Sequence, residues 1–572
     1  MSFPSPVPTS QEVNFLDKPL FCKGQEDWGI SGIRSLAIVN CGLSPSIYPQ
    51  LAAVLRASPG LEELNLARNG IGLEVERLIP LILELGLKKL SLASTGLNTK
   101  GAIALVPGFA ALTLLDLSNN GLEDEFIETL VENWPIGLKT LSLAYNHLTD
   151  ISKNLLQPSI SVLGSLDLSH NPMPISTPFP FLPVLKLRGL SVTSSLDCEE
   201  LIIGWGNLYA NFPERLKSLD CPAGRLFPIA ISSIRLCTYL QSVNLTGCGL
   251  REAAGEVAGL RNLRDVRLGT NGMDAGCVRR VLEGLSRCGE LQVLDLSDNP
   301  ASNWDIGALL PVSTLQMLIL ASIALPDGLP TLLCAQKSLF SLNLSRSGLN
   351  SSKLPEIITS LREIPLAELC LSGNNLSQPL PNVPKMAFLQ RLEVANCCIN
   401  ATSLEAISAF LPASLTHFDL FNNPIGPCSF PILPALVSLN LHKCQMRNFG
   451  IERLCPGLSL CPDLKELKLG WNCLTAACVP LLADVLPAGL HHLSLFENLL
   501  DDERALHLVN SLPSALQILD LGYTHLTTEV VKTLLERLPA LVHLQLCNLV
   551  GQTLSPEVLS AVPKWPLVLV NQ

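Results

Sequence analysis

The frame L-x-x-L-x-L-x-x-N-x-L recurs along this chain and constrains its fold more than any other feature. It stands at Leu61 ("LEELNLARNGI"), Leu112 ("LTLLDLSNNGL"), Leu138 ("LKTLSLAYNHL") and Leu464 ("LKELKLGWNCL"), among other places. With seven copies in which Cys, Thr or Ser replaces the asparagine and four weaker ones, at Leu182, Leu216, Leu315 and Leu541, 21 frames begin between Ile33 and Leu541, a mean spacing of (541 − 33)/20 = 25.4 residues. Apolar positions 4 and 6 alternate with polar neighbours, the period of a strand with one buried face. The asparagine at position 9 offers donors and an acceptor to backbone groups left over where the strand ends. Cys41, Cys248, Cys397 and Cys444 occupy that place, so four of the 19 cysteines are predicted to be structural.

Between frames the spacing turns helical. "NATSLEAISAFLP" (400–412) offers Thr402 and Glu405 as a capping box, with Leu404, Ile407 and Leu411 as an apolar stripe. "EDEFIETLVENWP", "DAGCVRRVLEGLS" and "TTEVVKTLLERLP" behave alike, and a proline ends several such stretches. Each unit therefore reads strand, turn, helix, turn, and hides its apolar face only against the next unit. The spacing is uneven early on, and "NPMPISTPFPFLPVLKLRGL" (171–190) leaves no room for a helix. Residues 191–215 are predicted to form an irregular, helix-bearing insert between a first sub-array (33–190) and a second (216–551). Residues 1–32 and 552–572 are expected to cap the ends, because a bare sheet edge invites pairing.

Phrases such as "LTTEVVKTLLERLPALVHLQL" and "LTAACVPLLADVLPAGLHHLSL" resemble the leucine-rich repeat superfamily, and within it the ribonuclease-inhibitor-like branch. The resemblance extends over residues 33–550. It implies an α/β solenoid, a horseshoe with a parallel inner sheet, outer helices and irregular convex segments. The units here are mostly shorter than that branch's usual repeat, and unequal in length.

Composition narrows the function. Hydrophobic residues make up 48% of the 572 and charged residues 16%, yet the nearest approach to a membrane span, "LIPLILELGL" (78–87), is interrupted by Glu84. The opening "MSFPSPVPTSQEVNF" lacks the basic and apolar regions of a secretory signal. No C-x-x-C occurs, and the cysteine count is odd. Reduced cysteines in a cytoplasmic protein are expected. Five sequons, at Asn244, Asn343, Asn350, Asn375 and Asn400, matter only in a secretory context. A net charge of −11 argues against nucleic acid or anionic membrane as partner. Phosphate-loop, dinucleotide, H-E-x-x-H and G-x-S-x-G motifs are absent from the sequence, so no enzymatic activity, cofactor or metal is expected.

Positions 3, 5, 7 and 8 are predicted to point out of the sheet, along an arc of roughly 95 Å at about 4.8 Å per strand. The late frames place Phe421, His442, Phe496, Trp471 and Tyr523 there, on five consecutive units, although aromatics are only 5% of the chain. Exposed aromatics waste apolar area unless something covers them, and Trp and Tyr dominate interface energies. The candidate interface comprises Phe421, Trp471, Phe496 and Tyr523 as apolar anchors, with His442, Lys443, Lys468, His492 and Glu497 as polar contacts. Packing within the array is the alternative, with Phe496 lying across Gly470 and Tyr523 across the stem of Glu497. The histidines at position 3 (His417, His492, His543) complete no ligand set. The position-5 aspartates, Asp419 and Asp520 among them, read as a solvated strand face.

The expected function is that of a non-enzymatic, monomeric scaffold binding a protein partner on its concave face. A regulator of a small GTPase, or a ligand-sensing protein, is the alternative that the resemblance implies. The former would draw on Arg68 beside Asn69.

Overall fold

The computed structural model describes residues 12–16, 30–43, 48–71, 75–380, 383–501 and 503–552, with 554–556, 558, 562 and 567–570 beyond them. Two compact units make up the chain, Met1–Asn271 and Gly272–Gln572. Among the described residues each unit contains twelve strands of its main parallel sheet. Frame positions 3 to 5 form the strands, as in Glu63–Asn65, Leu114–Asp116, Ser438–Asn440, Glu466–Lys468 and His492–Ser494. The strands are in register, with Leu439, Leu467 and Leu493 facing one another across three of them. Those leucines, and the apolar residues at positions 1, 6 and 11, are buried. Each unit of the chain is thus an α/β solenoid.

The segments with helical spacing form helices where there is length for them. Ala275–Leu285 buries Cys277, Val278, Val281 and Leu282, and Asp274 caps it by accepting from the Cys277 amide at 2.7 Å. Asp124–Glu132 and Thr528–Arg537 follow the same plan. The capping box expected at Thr402 and Glu405 is not used. Asn400 caps Ala401–Ser408 instead, its side chain accepting from the Ser403 amide at 3.0 Å. An asparagine at the end of a strand-following turn has the extended backbone that the cap position needs, whereas Thr402 is already helical.

Two further expectations are corrected. Residues 191–215 carry no helix; Cys198–Ile202 is a strand, parallel to Leu182–Lys186 on one side and Ser218–Asp220 on the other. The segment is a repeat, "CEELIIGWGNL", with Cys198 at position 1 and Gly206 at position 9. Units of 16 and 18 residues (182 to 198, 198 to 216) leave too little chain after strand and turns for a helix of useful length. Their outer side is instead a small parallel sheet of Ser191–Val192, Asn207–Leu208 and Arg225–Leu226. The packing there is close enough that a Cβ on Gly206 would collide with the Leu190 carbonyl oxygen. This repeat lies inside the first unit, which extends to Asn271.

The last frame begins at Leu544, not Leu541. Cys547 faces Leu519 across the sheet, and Gln552 takes the asparagine's place. His543 therefore precedes the frame. At the ends, Glu12–Leu16 pairs with Ser35–Val39 and Leu567–Leu569 with Leu546–Asn548, both in parallel. Most of 1–32 and 553–572 lies outside the described residues.

The position-9 asparagine stitches neighbouring repeats. Asn472 Nδ2 donates to the carbonyls of Leu441 (2.7 Å), Leu469 (2.9 Å) and Gly470 (3.1 Å). Its Oδ1 accepts from the amides of Cys444 (2.9 Å) and Met446 (3.2 Å) in the preceding repeat. A cysteine at that place reproduces only the donor half: Cys397 Sγ reaches the Leu371 carbonyl and Cys444 Sγ that of Leu420, both at 3.2 Å. The preceding residue, position 8, is left-handed in repeat after repeat: φ is 55° at Asn119, Tyr145, Asn422, Trp471 and Glu497. Glycine takes the place at Gly189 and Gly373.

Candidate functional site

That left-handed turn decides where the predicted site residues go. Position 8 lies past the end of the three-residue strand, so Trp471, Glu497 and Tyr523 stand at the margin of the sheet rather than on its face. Trp471 keeps 41% of its surface exposed and Tyr523 44%. A left-handed non-glycine residue is strained by roughly 1–2 kcal/mol, so a tryptophan there is held by the turn that the ladder asparagine closes.

Three aromatic rings form a continuous ladder. The Trp471 and Phe496 centroids lie 5.7 Å apart with planes at 70°, and Phe496 and Tyr523 5.6 Å apart at 71°. Lys443 Nζ sits 5.7 Å over the Trp471 ring. Rings reach forward onto the following repeat, not back. Phe496 lies over Gly522, where a Cβ would come within 2.9 Å of the ring, and Tyr523 lies over Gly551. His442, rather than Phe496, covers Gly470, its Nε2 3.0 Å from where a Cβ would be. Packing and exposure therefore coexist: one edge of each ring rests on the array and the rest meets solvent. Phe421 stands apart from the ladder. Its amide donates to Asp419 Oδ1 at 2.8 Å, and no ring contact among the described residues joins it to the other three.

The strands beneath carry a polar network. Glu466 accepts from Ser438 Oγ at 2.6 Å, pairs with Lys468 Nζ at 2.7 Å and meets His492 Nδ1 at 3.1 Å. Bonding by His492, then by Lys468 and Ser438, holds the Glu466 carboxyl well below the usual carboxylate range despite its partial burial. His442 Nε2 meets Ser494 Oγ at 3.1 Å, and Ser494 donates on to Asp520 at 3.0 Å. Burial, reinforced by the Lys468 charge, pushes His442 down to about 4, so it is neutral near pH 7. Alongside lies a polar recess of about 140 Å³ lined by Arg391, Glu393, His417, Asp419, Asn440 and neighbours. Burial and the nearby Glu393 raise the Asp419 carboxyl. Lys468 and His492 are thus engaged inside the sheet face, while Lys443 and Glu497 are exposed at its margin.

A second aromatic group was missed in the sequence. Tyr145 stacks on His170 at 4.1 Å, and Trp205, in the short repeat, is 73% exposed with φ 61°. All three occupy position 8, and the signal was present in "SLAYNHL", "DLSHNPM" and "IIGWGNL" had that position been followed through the early frames. Asn69, beside Arg68, is a fully buried ladder asparagine that donates to the Ile38 carbonyl at 2.7 Å. Among the described residues no group of three or more His, Cys, Asp or Glu could hold a metal ion, and no helix is long and apolar enough to cross a membrane.

No family model matches the chain. It is 30% identical to the mouse (Mus musculus) ribonuclease inhibitor over 307 residues, 48% of this chain and 62% of that protein, so it spans less than two thirds of that relative. The pig (Sus scrofa) ribonuclease inhibitor is 27% identical over 444 residues, 71% of this chain and 86% of that protein. The solved mouse RP105/MD-1 complex matches over 92% of this chain and 84% of that one, at 19% identity and a TM-score of 0.47. The repeating strand and left-handed turn make the chain a leucine-rich repeat solenoid, and in sequence it is similar to the ribonuclease inhibitors.

Proposed function

We propose that this protein is a non-enzymatic scaffold that binds a protein partner on the sheet face and margin of its later repeats, over residues 415–526. The observation that carries this reading is the ladder Trp471–Phe496–Tyr523, whose outer members stand at left-handed turns and keep 41% and 44% of their surface exposed. Phe421 extends the apolar surface from the sheet face, and His442, Lys443, Lys468, His492 and Glu497 supply its polar register. Burial of such anchors is worth about 25 cal/mol per Å² of apolar surface before the costs of association. A repeat array holds its side chains in place before binding, which lowers those costs. We further place the protein in the cytoplasm as a monomer; the free cysteines of the described residues fit a reducing compartment.

The test is partner capture by the full chain and by a Phe421→Ala/Trp471→Ala/Phe496→Ala variant, both checked by circular dichroism. A purified ribonuclease serves as a defined candidate, because the mouse and pig relatives are named ribonuclease inhibitors. The reading expects a partner that the folded variant binds at least about a hundredfold more weakly, as loss of interface anchors requires. Equal binding by both proteins would place the interface elsewhere.

A further inference from the structure

The aromatic ladder has a geometry that plain apolar docking does not need. Trp471 and Tyr523 both stand near perpendicular to Phe496, at 70° and 71°. They share the same left-handed turn position, with φ 55° and 53°, and belong to repeats two strands apart. At about 4.8 Å per strand their backbones are separated by roughly 10 Å. A planar group in contact with a ring on each face needs about 7 Å between the rings. Phe496 is in ring contact with both Trp471 and Tyr523.

The residue between the two walls is Glu497, with φ 55° and an exposed side chain. No hydrogen bond or ion pair among the described residues engages its carboxylate. Three ring surfaces around an uncommitted negative charge favour a cation, since ring faces are negative and attract one. The protein already shows this attraction at the same place, where Lys443 Nζ lies over the outer side of the ladder at Trp471.

We propose, resting on the reading of the later repeats as the partner site, that Trp471, Phe496, Tyr523 and Glu497 form a box for an arginine side chain of the protein partner. The guanidinium stacks between Trp471 and Tyr523 with its edge towards Phe496 and donates N–H bonds to Glu497. Arginine is chosen over the other cations on chemical grounds. A guanidinium is planar, weakly hydrated and rich in N–H donors. A lysine ammonium is more strongly hydrated, and a trimethylammonium group has no N–H for Glu497. The chain's own guanidinium–ring contacts are closer than its ammonium contact: Arg453 lies 4.6 Å from the Phe449 centroid and Arg215 5.0 Å from that of Phe181, against 5.7 Å for Lys443. The net charge of −11 points the same way, towards a partner segment that is basic.

The experiment titrates the full chain with the blocked tripeptide Gly-Arg-Gly and with versions carrying citrulline, lysine or trimethyllysine in place of arginine. The readout is the indole N–H resonance of Trp471, assigned by its loss in Trp471→Phe. The arginine peptide should bind about tenfold more tightly than the isosteric but neutral citrulline peptide, a difference of the size a desolvated cation–ring contact supplies. Glu497→Gln should weaken it by a similar factor, and Tyr523→Ala should abolish the saturable shift. Equal binding of arginine and citrulline peptides, no effect of Glu497→Gln, or tightest binding by trimethyllysine would each overturn the arginine box. The partner-capture result is read separately. A partner lost on Phe421→Ala/Trp471→Ala/Phe496→Ala substitution without any arginine preference would keep the scaffold reading and remove this one. Arginine selectivity with capture unchanged would overturn both, since a box that the captured partner does not need is not that partner's arginine site.

Discussion

Replacing Asn472 by alanine isolates what one ladder asparagine contributes. The side chain serves three buried backbone groups of the preceding repeat: the Leu441 carbonyl and the amides of Cys444 and Met446, at 2.7, 2.9 and 3.2 Å. It also accepts no help from solvent, being fully buried. Alanine leaves all three groups without that partner, and each buried group left unsatisfied costs about 1–3 kcal/mol. Even at the low end the loss is about 3 kcal/mol, a large fraction of the net stability of an ordinary domain. Because long repeat arrays depart from two-state unfolding, the assay should be residue-specific. Amide hydrogen exchange at Cys444 and Met446 should accelerate by about two orders of magnitude, the factor corresponding to 3 kcal/mol. Asn472→Cys should fall between wild type and alanine, since a thiol at this place donates to the preceding carbonyl, as Cys444 does to Leu420, but leaves the two amides without an acceptor. Exchange at both amides unchanged in Asn472→Ala would refute the argument that this one side chain satisfies the inter-repeat backbone.

Three further outcomes can be measured. His442 is neutral in the folded protein down to about 4, below its ordinary 6.5, so the unfolded chain takes up a proton first as pH falls. The stability tied to neutral His442 is therefore complete above about 6.5 and is lost as pH falls towards 4. His442→Gln, which keeps a partner for Ser494, should flatten the pH dependence of the denaturation midpoint between pH 7 and 5 by up to about 1 kcal/mol; identical slopes would contradict it. Trp471→Gly should be more stable than Trp471→Ala by about 1 kcal/mol, because only glycine is free of the left-handed penalty at φ 55°, and urea unfolding that ranks alanine first would count against the strain. Alkylation at pH 8 followed by mass spectrometry should label exposed Cys334, Cys398 and Cys473 first. Cys444, Cys455 and Cys547, whose thiols burial pushes up to about 12, should react only on unfolding.

Much of the fold was legible because its signal is repeated. A leucine at position 4 or an asparagine at position 9 does one job in every unit, so a single weak copy is interpreted by its neighbours. Where a unit departs from the pattern, the reading slipped. Cys198 and Gly206 hid a whole repeat behind two substitutions, and Cys547 with Gln552 shifted the last frame by three residues. Both cases are resolved by strand pairing, which compares positions across space rather than along the chain. Helix starts slipped for a similar reason: Asn400 and Thr402 are both plausible caps in sequence, and only the backbone angle at Asn400 selects between them.

For the candidate site, the sequence determined which residue types share a frame position, and so that aromatics gather in the late repeats. It could not decide whether those side chains stand on the sheet or beside it. That follows from the left-handed turn at position 8, a conformation shared with Asn119, Asn422 and Glu497 and so set by the repeat rather than by Trp471 or Tyr523 themselves. Nor could it decide the direction in which the rings lean, because Phe496 and Tyr523 settle over glycines, Gly522 and Gly551, that only the stacking of the next repeat brings beneath them. Periodicity along the chain specifies which residues belong together; the packing of one repeat on the next specifies what each of them faces.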